Sequence, residues 1–325
     1  MARILVTGGA GYIGSHACKM LHAAGHEPVA FDNLRTGWSA AAKFGVLIEG
    51  DLLDEAALAG AFAAVRPDAV LHFAALSNVG ESVKDPGLYW RNNTLGSLNL
   101  LCAMRDAGVG RIVFSSTAAT YGEPEQHPIT ETAPQRPINP YGASKLAVEA
   151  MLDDFEASHG IRSVALRYFN VAGADPEAQI GEDHRPETHL IPLVLDAAAG
   201  ARDAITVFGT DYPTPDGTCI RDYVHVVDLI EAHILALDRL LAGGASGRFN
   251  LGTGHGFSVR EVIDAAEATL GMAIPQAAGA RRGGDPARLV CDGTRARADL
   301  GWAPSRSSLP RMIADAWRWR QTGRY

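Results

Sequence analysis

Residues 3–16 read RILVTGGAGYIGSH, and this stretch decides the fold. Its apolar start is typical of a buried parallel strand, and the residues that follow predict a helix over 15–24. Gly8, Gly11 and Gly14 lie between the two, with the spacing that allows a tight turn and close backbone approach to a pyrophosphate. Because free N–H groups at a helix start bind phosphate, the stretch predicts a dinucleotide site.

A carboxylate at the end of the next predicted strand fits the same site. The strand over 28–31 ends in Asp32, within about 20 residues of the glycines, where a carboxylate bonds the ribose hydroxyls of NAD. It would repel a 2′-phosphate, so Asp32 favours NAD. Arg35 leaves NADP open, since a nearby arginine can accommodate that phosphate. We interpret Arg35 as an ordinary loop residue.

Tyr141 and Lys145 are four residues apart, so they share one face of a predicted helix. A phenol with a pKa near ~10 is a poor base at neutral pH, and a lysine charge one turn away favours the phenolate. Such a pair alone is typical of a solvated helix face. Beside a nicotinamide site it predicts a catalytic base.

Composition restricts the class of protein. The chain has 325 residues, 47% hydrophobic and 20% charged, which suits one large or two modest globular domains. A net charge of -8 argues against nucleic acid as a partner. The strand starting at Arg3 leaves no room for a signal peptide, and no apolar run is long enough to span a membrane.

The cysteines and histidines narrow the expectation further. Four scattered cysteines suit a reducing compartment, so we expect a cytoplasmic protein without a membrane partner. The eleven histidines show no H-E-x-x-H or comparable spacing, so we expect no metal.

Strands and helices alternate through the first half of the chain. Further strands are predicted at 46–50, 69–73, 111–116 and 163–169, and helices at 55–65, 86–107, 228–241, 259–270 and 309–320. Repeated βα units predict an α/β fold with a doubly wound (Rossmann) parallel sheet, whose ligands bind beyond the C-terminal strand ends. We predict an NAD-binding domain at 1–170 and a smaller C-terminal α/β substrate lobe at 171–325, with elements free to cross between them.

Nine motifs follow one another along most of the chain. They are VTGGAGYIGSH at 6–16, FDNL at 31–34, HFAA at 72–75, VGES at 79–82, FSST at 114–117, YGASK at 141–145, LRYFN at 166–170, RDYVH at 221–225 and RRGGD at 281–285. Together they resemble the extended short-chain dehydrogenase/reductase superfamily, and within it the UDP-glucose 4-epimerase family. The resemblance implies interconversion of UDP-galactose and UDP-glucose through a transient 4-keto sugar and bound NADH. It also implies a homodimer, formed through the helices at 86–107 and 141–158.

Carried over position by position, the resemblance implies three sets of residues. The catalytic set is Tyr141, Lys145 and Thr117, with Tyr141 taking the proton of the sugar 4-hydroxyl and Thr117 bonding the same oxygen. The NAD set is Gly8, Gly11, Tyr12, Ile13, Gly14, Asp32, Asn33, Leu34, Arg35, Thr36, Gly37, Asp51, Leu52, Phe73, Ala74, Ala75, Leu76, Ser77, Asn92, Tyr141, Lys145 and Phe169. The UDP-sugar set is Thr117, Tyr141, Asn170, His189, Leu190, Phe208, Arg221, Tyr223, Arg282, Asp285 and Leu289.

Three positions depart from the family pattern. Ser77 stands where some members carry Lys, and His189 where others carry Asn on the diphosphate side. Leu289 stands where a large Tyr narrows the sugar pocket in some members. The smaller Leu289 suggests room for a 2-acetamido group, so we expect activity on UDP-GlcNAc and UDP-GalNAc as well.

Alternatives remain at this point. Related dehydratases and decarboxylases carry acidic residues just after the Ser/Thr of the fifth strand, whereas Thr117 is followed by two alanines, which favours a simple epimerase. A 4-epimerase for a UDP-pentose or UDP-uronate stays open. A non-catalytic NAD-binding sensor would not need Thr117, Tyr141 and Lys145 together.

Overall fold

The computed structural model describes residues 1–281, 286–323 and 325. The strands are β1 (Arg3–Thr7), β2 (Glu27–Asp32), β3 (Val46–Glu49), β4 (Ala69–His72), β5 (Arg111–Thr117), β6 (Arg162–Tyr168), β7 (Asn170–Ala172), β8 (Ile205–Phe208), β9 (Ile220–His225), β10 (Gly247–Leu251), β11 (Gly256–Ser258), β12 (Gln276–Gly279) and β13 (Arg288–Leu289). The helices are α1 (Tyr12–Ala23), α2 (Glu55–Val65), α3 (Val79–Lys84), α4 (Pro86–Tyr89), α5 (Gly96–Ala107), α6 (Pro140–His159), α7 (Leu190–Ala198), α8 (Val226–Leu241), α9 (Val259–Leu270), α10 (Thr294–Leu300) and α11 (Leu309–Gln321). No helix in these ranges is long and apolar enough to cross a membrane.

Seven strands form one parallel sheet in the order β10-β6-β5-β4-β1-β2-β3. Their apolar side chains are covered on both faces, by α1, α8 and α10 on one and by α2, α5 and α6 on the other. The strand order reverses between β1 and β4, and such a switch point opens a crevice at the carboxyl ends of the strands. The predicted doubly wound parallel sheet is confirmed.

The second half of the chain builds two small sheets. In one, β9 pairs with β7, β11 and β13, and in the other β8 pairs with β12. Helices α7, α9 and α11 cover them with a separate apolar core. Only Phe169 separates β6 from β7, so the small sheet begins where the large one ends. Strand β10 returns to the large sheet beside β6, and the proposed division at residue 170 stays a prediction.

Two helix predictions were wrong in detail. Helix α1 begins at Tyr12 rather than at residue 15, because Gly11 already serves as its N-cap. The helix expected over 86–107 is interrupted by a π-helical segment, Trp90–Leu95. This wider turn contains the buried Asn93, which accepts a hydrogen bond from the Leu76 N–H at 2.8 Å and donates to the Leu76 carbonyl at 2.9 Å. Such segments occur frequently at functional sites.

A buried ion pair fastens α6 to the large sheet. The Arg167 guanidinium on β6 meets both carboxylate oxygens of Glu149 on α6, at 2.5 and 3.0 Å, and each side chain is 5% exposed. The Ser116 hydroxyl on β5 donates to the same carboxylate at 2.5 Å. Burial alone would raise the pKa of Glu149, but the hydrogen bonds and charge of Arg167 lower it. The pair therefore fixes α6 against β5 and β6 at their carboxyl ends.

We expect Glu149→Gln to lower the free energy of unfolding by about 3–5 kcal/mol, because it leaves the Arg167 charge buried and uncompensated. Denaturant unfolding measures the change. The control is Asp154→Asn, an exposed carboxylate on the same helix, which should shift stability by less than about 0.5 kcal/mol. Equal effects of the two substitutions would contradict the role given to the pair.

Candidate active site

The turn between β1 and α1 lies against the loop that follows β4. Gly8 has a φ of +72°, and a Cβ there would come within 2.6 Å of the Ala74 nitrogen. A Cβ on Gly14 would come within 2.1 Å of the Gly8 carbonyl oxygen. Gly11 caps α1 without a side-chain hydrogen bond from any described residue. The N–H groups of the first turn are therefore placed to bind an anion at the crevice.

Asp32 ends β2 beside this turn with its carboxylate held in place. It accepts hydrogen bonds from the N–H groups of Ala10 at 3.0 Å and Leu34 at 2.9 Å. Burial raises its pKa, and these two bonds partly offset that effect. Asn33 donates to Asp51 at 2.8 Å, which brings the end of β3 to the same place. Arg35 and Thr36 are exposed.

The segment after β4 completes this edge of the sheet. The N–H groups of Phe73 and Ala74 both donate to the Thr7 carbonyl, at 3.0 and 3.1 Å. Leu76 is held by Asn93 in the π-helical segment, where Asn92 also lies, whereas Ser77 is exposed. Three features therefore meet at the switch point: the β1–α1 turn, which has no space for side chains, the fixed carboxylate of Asp32, and the segment that follows β4. These residues fit a dinucleotide such as NAD.

Tyr141 is the second residue of α6, close to the carboxyl end of β5. The Asn139 side chain caps this helix by accepting from the Gly142 N–H at 2.8 Å. Its phenol lies within hydrogen-bonding reach of Thr117, the last residue of β5. Burial raises the pKa of the phenol, and the Thr117 bond lowers it only in part. The helix N-terminus also favours negative charge at this position.

Lys145 lies one turn further along α6 and is only 3% exposed. Its Nζ donates to the Ser115 carbonyl at 2.9 Å and lies 4.8 Å from the centre of the Phe114 ring. Burial lowers its pKa to about 7. In the structure without cofactor the pKa of the Tyr141 phenol is raised, because burial dominates, and the expectation that Lys145 favours the phenolate stays a prediction.

The small sheet built around β9 contains several residues predicted to bind the UDP-sugar. Asn170 on β7 is paired with Tyr223 on β9, and Leu289 on β13 is paired with Arg221. Because Arg221 and Tyr223 are two residues apart on one strand, these four side chains share one face. Other members of the set lie at element ends: His189 caps α7, Leu190 begins it and Phe208 ends β8. Arg282 and Asp285 lie outside the described residues.

Two features of the site were missed from the sequence. One is Asn93, which also donates to the Ser144 hydroxyl at 3.1 Å and so links the loop after β4 to α6. The other is His72, whose buried ring contacts the Thr7 hydroxyl at 2.7 Å and the Ser97 hydroxyl at 2.8 Å. His72 is a polar side chain within an apolar strand, whereas Asn93 lies among other polar residues, and neither pattern specifies a partner.

The chain is similar over nearly its full length to known UDP-glucose 4-epimerases, including two with crystal structures that contain bound NAD. The chain is 52% identical over 322 residues to the UDP-glucose 4-epimerase of Lacticaseibacillus casei, covering 98% of this chain and 96% of that one. The crystal structure of UDP-glucose 4-epimerase from Brucella ovis in complex with NAD superposes with a TM-score of 0.96 at 48% identity, covering 98% of each chain. The crystal structure of UDP-glucose 4-epimerase from Bifidobacterium longum in complex with NAD+ and UDP superposes with a TM-score of 0.93 at 39% identity, also covering 98% of each chain.

The family comparison covers both the large sheet and part of the small ones. Residues 4–252 match the NAD dependent epimerase/dehydratase family, which is most of the chain. The match includes the β1–α1 turn, Thr117, Tyr141 and Lys145. The resemblance inferred from the motifs is confirmed, and the chain belongs to the NAD dependent epimerase/dehydratase family.

Proposed function

We propose that this protein is an NAD-dependent UDP-glucose 4-epimerase, which interconverts UDP-galactose and UDP-glucose. The observation that carries the proposal is that Tyr141, at the start of α6, lies within hydrogen-bonding reach of Thr117, at the end of β5, on the edge of the sheet that fits NAD. The near full-length similarity to UDP-glucose 4-epimerases supports the same substrate. A non-catalytic NAD-binding sensor would need neither this arrangement nor a buried lysine one turn away.

Tyr141 is the base in the proposed reaction and takes the proton of the sugar 4-hydroxyl. Burial keeps its phenol protonated at neutral pH, so the phenolate requires a positive charge nearby. NAD, when bound, supplies a positively charged ring and accepts a hydride from C4. Thr117 hydrogen-bonds the reacting oxygen and shares the charge that develops on it.

The small sheet anchors the nucleotide part of the substrate. Arg221 on β9 offers a guanidinium fork suited to a diphosphate, and the predicted contacts of Arg282 and Asp285 are part of the same proposal. Inversion at C4 requires the 4-keto sugar to present each of its faces in turn to the same side of the crevice. The 4-keto sugar can turn over within the site only while the UDP part of the substrate stays bound.

We also infer a cytoplasmic homodimer. Large apolar side chains are exposed along α3 and the π-helical segment: Val83 is 62%, Trp90 42% and Leu95 44% exposed. A group of exposed apolar side chains is typical of a protein interaction site. It supports a dimer formed through the 86–107 region and α6.

Tyr141→Phe should lower turnover by at least about 10²-fold, because it removes the proton acceptor and leaves the ring in place. Conversion of UDP-galactose to UDP-glucose without added NAD measures it, together with the NAD content of the purified variant. Tyr89→Phe is the control, since the Tyr89 ring packs edge-on against Tyr141 at 6.5 Å and should keep turnover within a few-fold. Near-normal turnover in Tyr141→Phe would end this mechanism.

Lys145→Met should stabilise the cofactor-free protein most at or below pH 7. The folded-state pKa of Lys145 is lowered by burial to about 7, from an ordinary value of 10.5, so folding disfavours the charged form. The destabilisation caused by burying the charged Lys145 side chain is complete below pH 7. It disappears as the pH approaches 10.5, where Lys145 is neutral in both the folded and the unfolded state. Denaturant unfolding from pH 7 to 10 should show the advantage of the variant shrinking. A gain independent of pH would contradict the lowered pKa.

The native protein should also epimerise UDP-GlcNAc, because Leu289 leaves room for a 2-acetamido group. Leu289→Tyr should lower kcat/KM for UDP-GlcNAc by roughly 10- to 100-fold relative to UDP-glucose, the effect of overpacking a pocket. Leu289→Met, which conserves volume, is the control and should change the ratio little. No turnover of UDP-GlcNAc beside good UDP-glucose activity would refute the wider specificity.

A further inference from the structure

Four potential metal ligands meet on the segment that leads into α7. Glu182, His184, Glu187 and His189 each direct one ligand atom inward, and these atoms all lie within 4.8 Å of one another. Their spacing along the chain, E-x-H-x-x-E-x-H, differs from the H-E-x-x-H pattern, so the sequence prediction of no metal did not consider it.

The distances within the cluster fit a four-coordinate ion. His189 Nδ1 lies 2.9 Å from Glu182 Oε1 and 2.8 Å from Glu187 Oε1. His184 Nδ1 lies 3.0 Å from Glu182 Oε1 and 3.8 Å from Glu187 Oε2. A tetrahedral zinc site with bonds of about 2.0–2.2 Å separates its ligands by about 3.3–3.5 Å. The four contacts differ from that separation by about 0.3–0.7 Å, and the widest pair of ligand atoms, at up to 4.8 Å, would have to close by about 1.3 Å to form a coordination shell.

The two carboxylates are buried, which favours a cation beside them. The side chains of Glu182 and Glu187 are each only 7% exposed, and burying a carboxylate is unfavourable unless it is paired or coordinates a metal. Among the described residues, the ion-pair partners of both are His184 and His189. Their side chains are 30% and 46% exposed, which leaves a path from solvent to the cluster.

Two tryptophans hold the backbone at the start of the segment that carries the ligands. The Trp319 indole donates to the Glu182 carbonyl at 3.0 Å, and the Trp38 indole donates to the Asp183 carbonyl at 2.8 Å. Gly181 lies so close to Trp319 that a Cβ would come within 2.3 Å of the ring. These contacts anchor the backbone at the start of the segment, next to Glu182.

We propose that Glu182, His184, Glu187 and His189 bind one divalent transition-metal ion, with zinc the ion their chemistry fits best. Two imidazole nitrogens and two carboxylate oxygens suit zinc and its neighbours, whereas calcium and magnesium prefer oxygen ligands alone. Because His189 is the N-cap of α7, the ion joins this helix start to the segment packed on α11. The ion has a structural role, and the proposal assigns the His189 imidazole to it rather than to the substrate diphosphate that the sequence resemblance implies.

Cobalt provides a direct test, because tetrahedral Co²⁺ has visible absorption bands and occupies zinc sites. The full chain, prepared without a histidine tag and treated with a chelator, is titrated with Co²⁺ and then with Zn²⁺. We expect one Co²⁺ per chain with a tetrahedral spectrum that Zn²⁺ abolishes. His184→Gln and Glu187→Gln should each weaken binding at least about tenfold. The control His22→Gln, an exposed histidine in the last turn of α1, should leave binding unchanged.

Thermal unfolding gives an independent readout. Zinc at 100 times the native Kd should raise the Tm of the native protein by more than that of the two ligand variants. Circular dichroism and bound NAD content show whether those variants are folded. The absence of a tetrahedral spectrum in the native protein would overturn the proposal and leave the cluster as a network of ion pairs. Unchanged Co²⁺ affinity in folded His184→Gln and Glu187→Gln would overturn it as well.

Discussion

The arrangement of this crevice depends on the buried ion pair between Glu149 and Arg167. Thr117 ends β5, whereas Tyr141 and Lys145 lie on α6, so their relative position is only as fixed as the packing of that helix on the sheet. Two bonds from Arg167 and one from Ser116 hold the helix at this point. The Arg167 guanidinium also donates to the Tyr121 hydroxyl, which bonds Asn250 on β10. One charged pair thereby connects helix α6, strands β5, β6 and β10, and the turn after Thr117.

Burial governs the electrostatics of the same region. It raises the pKa of Tyr141, lowers that of Lys145 to about 7 and lowers that of His72 to about 3, with the Lys145 charge as a second cause for His72. All three shifts favour the neutral form of the group. The phenolate form of Tyr141 therefore requires a positive charge beside it. In the proposed reaction, proton abstraction thus depends on occupancy by the cofactor.

The sequence predicted the parallel sheet and the glycine turn because both follow from short-range patterns. Apolar strands such as β1 and β4 are recognisable locally, as is a turn that excludes every side chain. The π-helical segment was not predictable, since it depends on Asn93 finding a partner in Leu76, 17 residues away. The contact between Lys145 and the Ser115 carbonyl was not predictable either, because a spacing of four residues places Lys145 on the same face as Tyr141 but does not specify which atom its side chain contacts. The cluster of potential metal ligands at 182–189 was also not predictable. It forms through the fold of an irregular segment, and sequence periodicity gives no information about such a segment.

The return of β10 to the large sheet has a consequence for how this chain folds. In a fragment ending at residue 170, β6 would pair with β5 alone and leave its other edge open, and the face that α8 covers would be open to water. Pairing of that edge must wait for β10, about 80 residues further along, and such distant contacts slow folding. During synthesis the first 170 residues would expose an aggregation-prone edge until most of the second lobe has emerged.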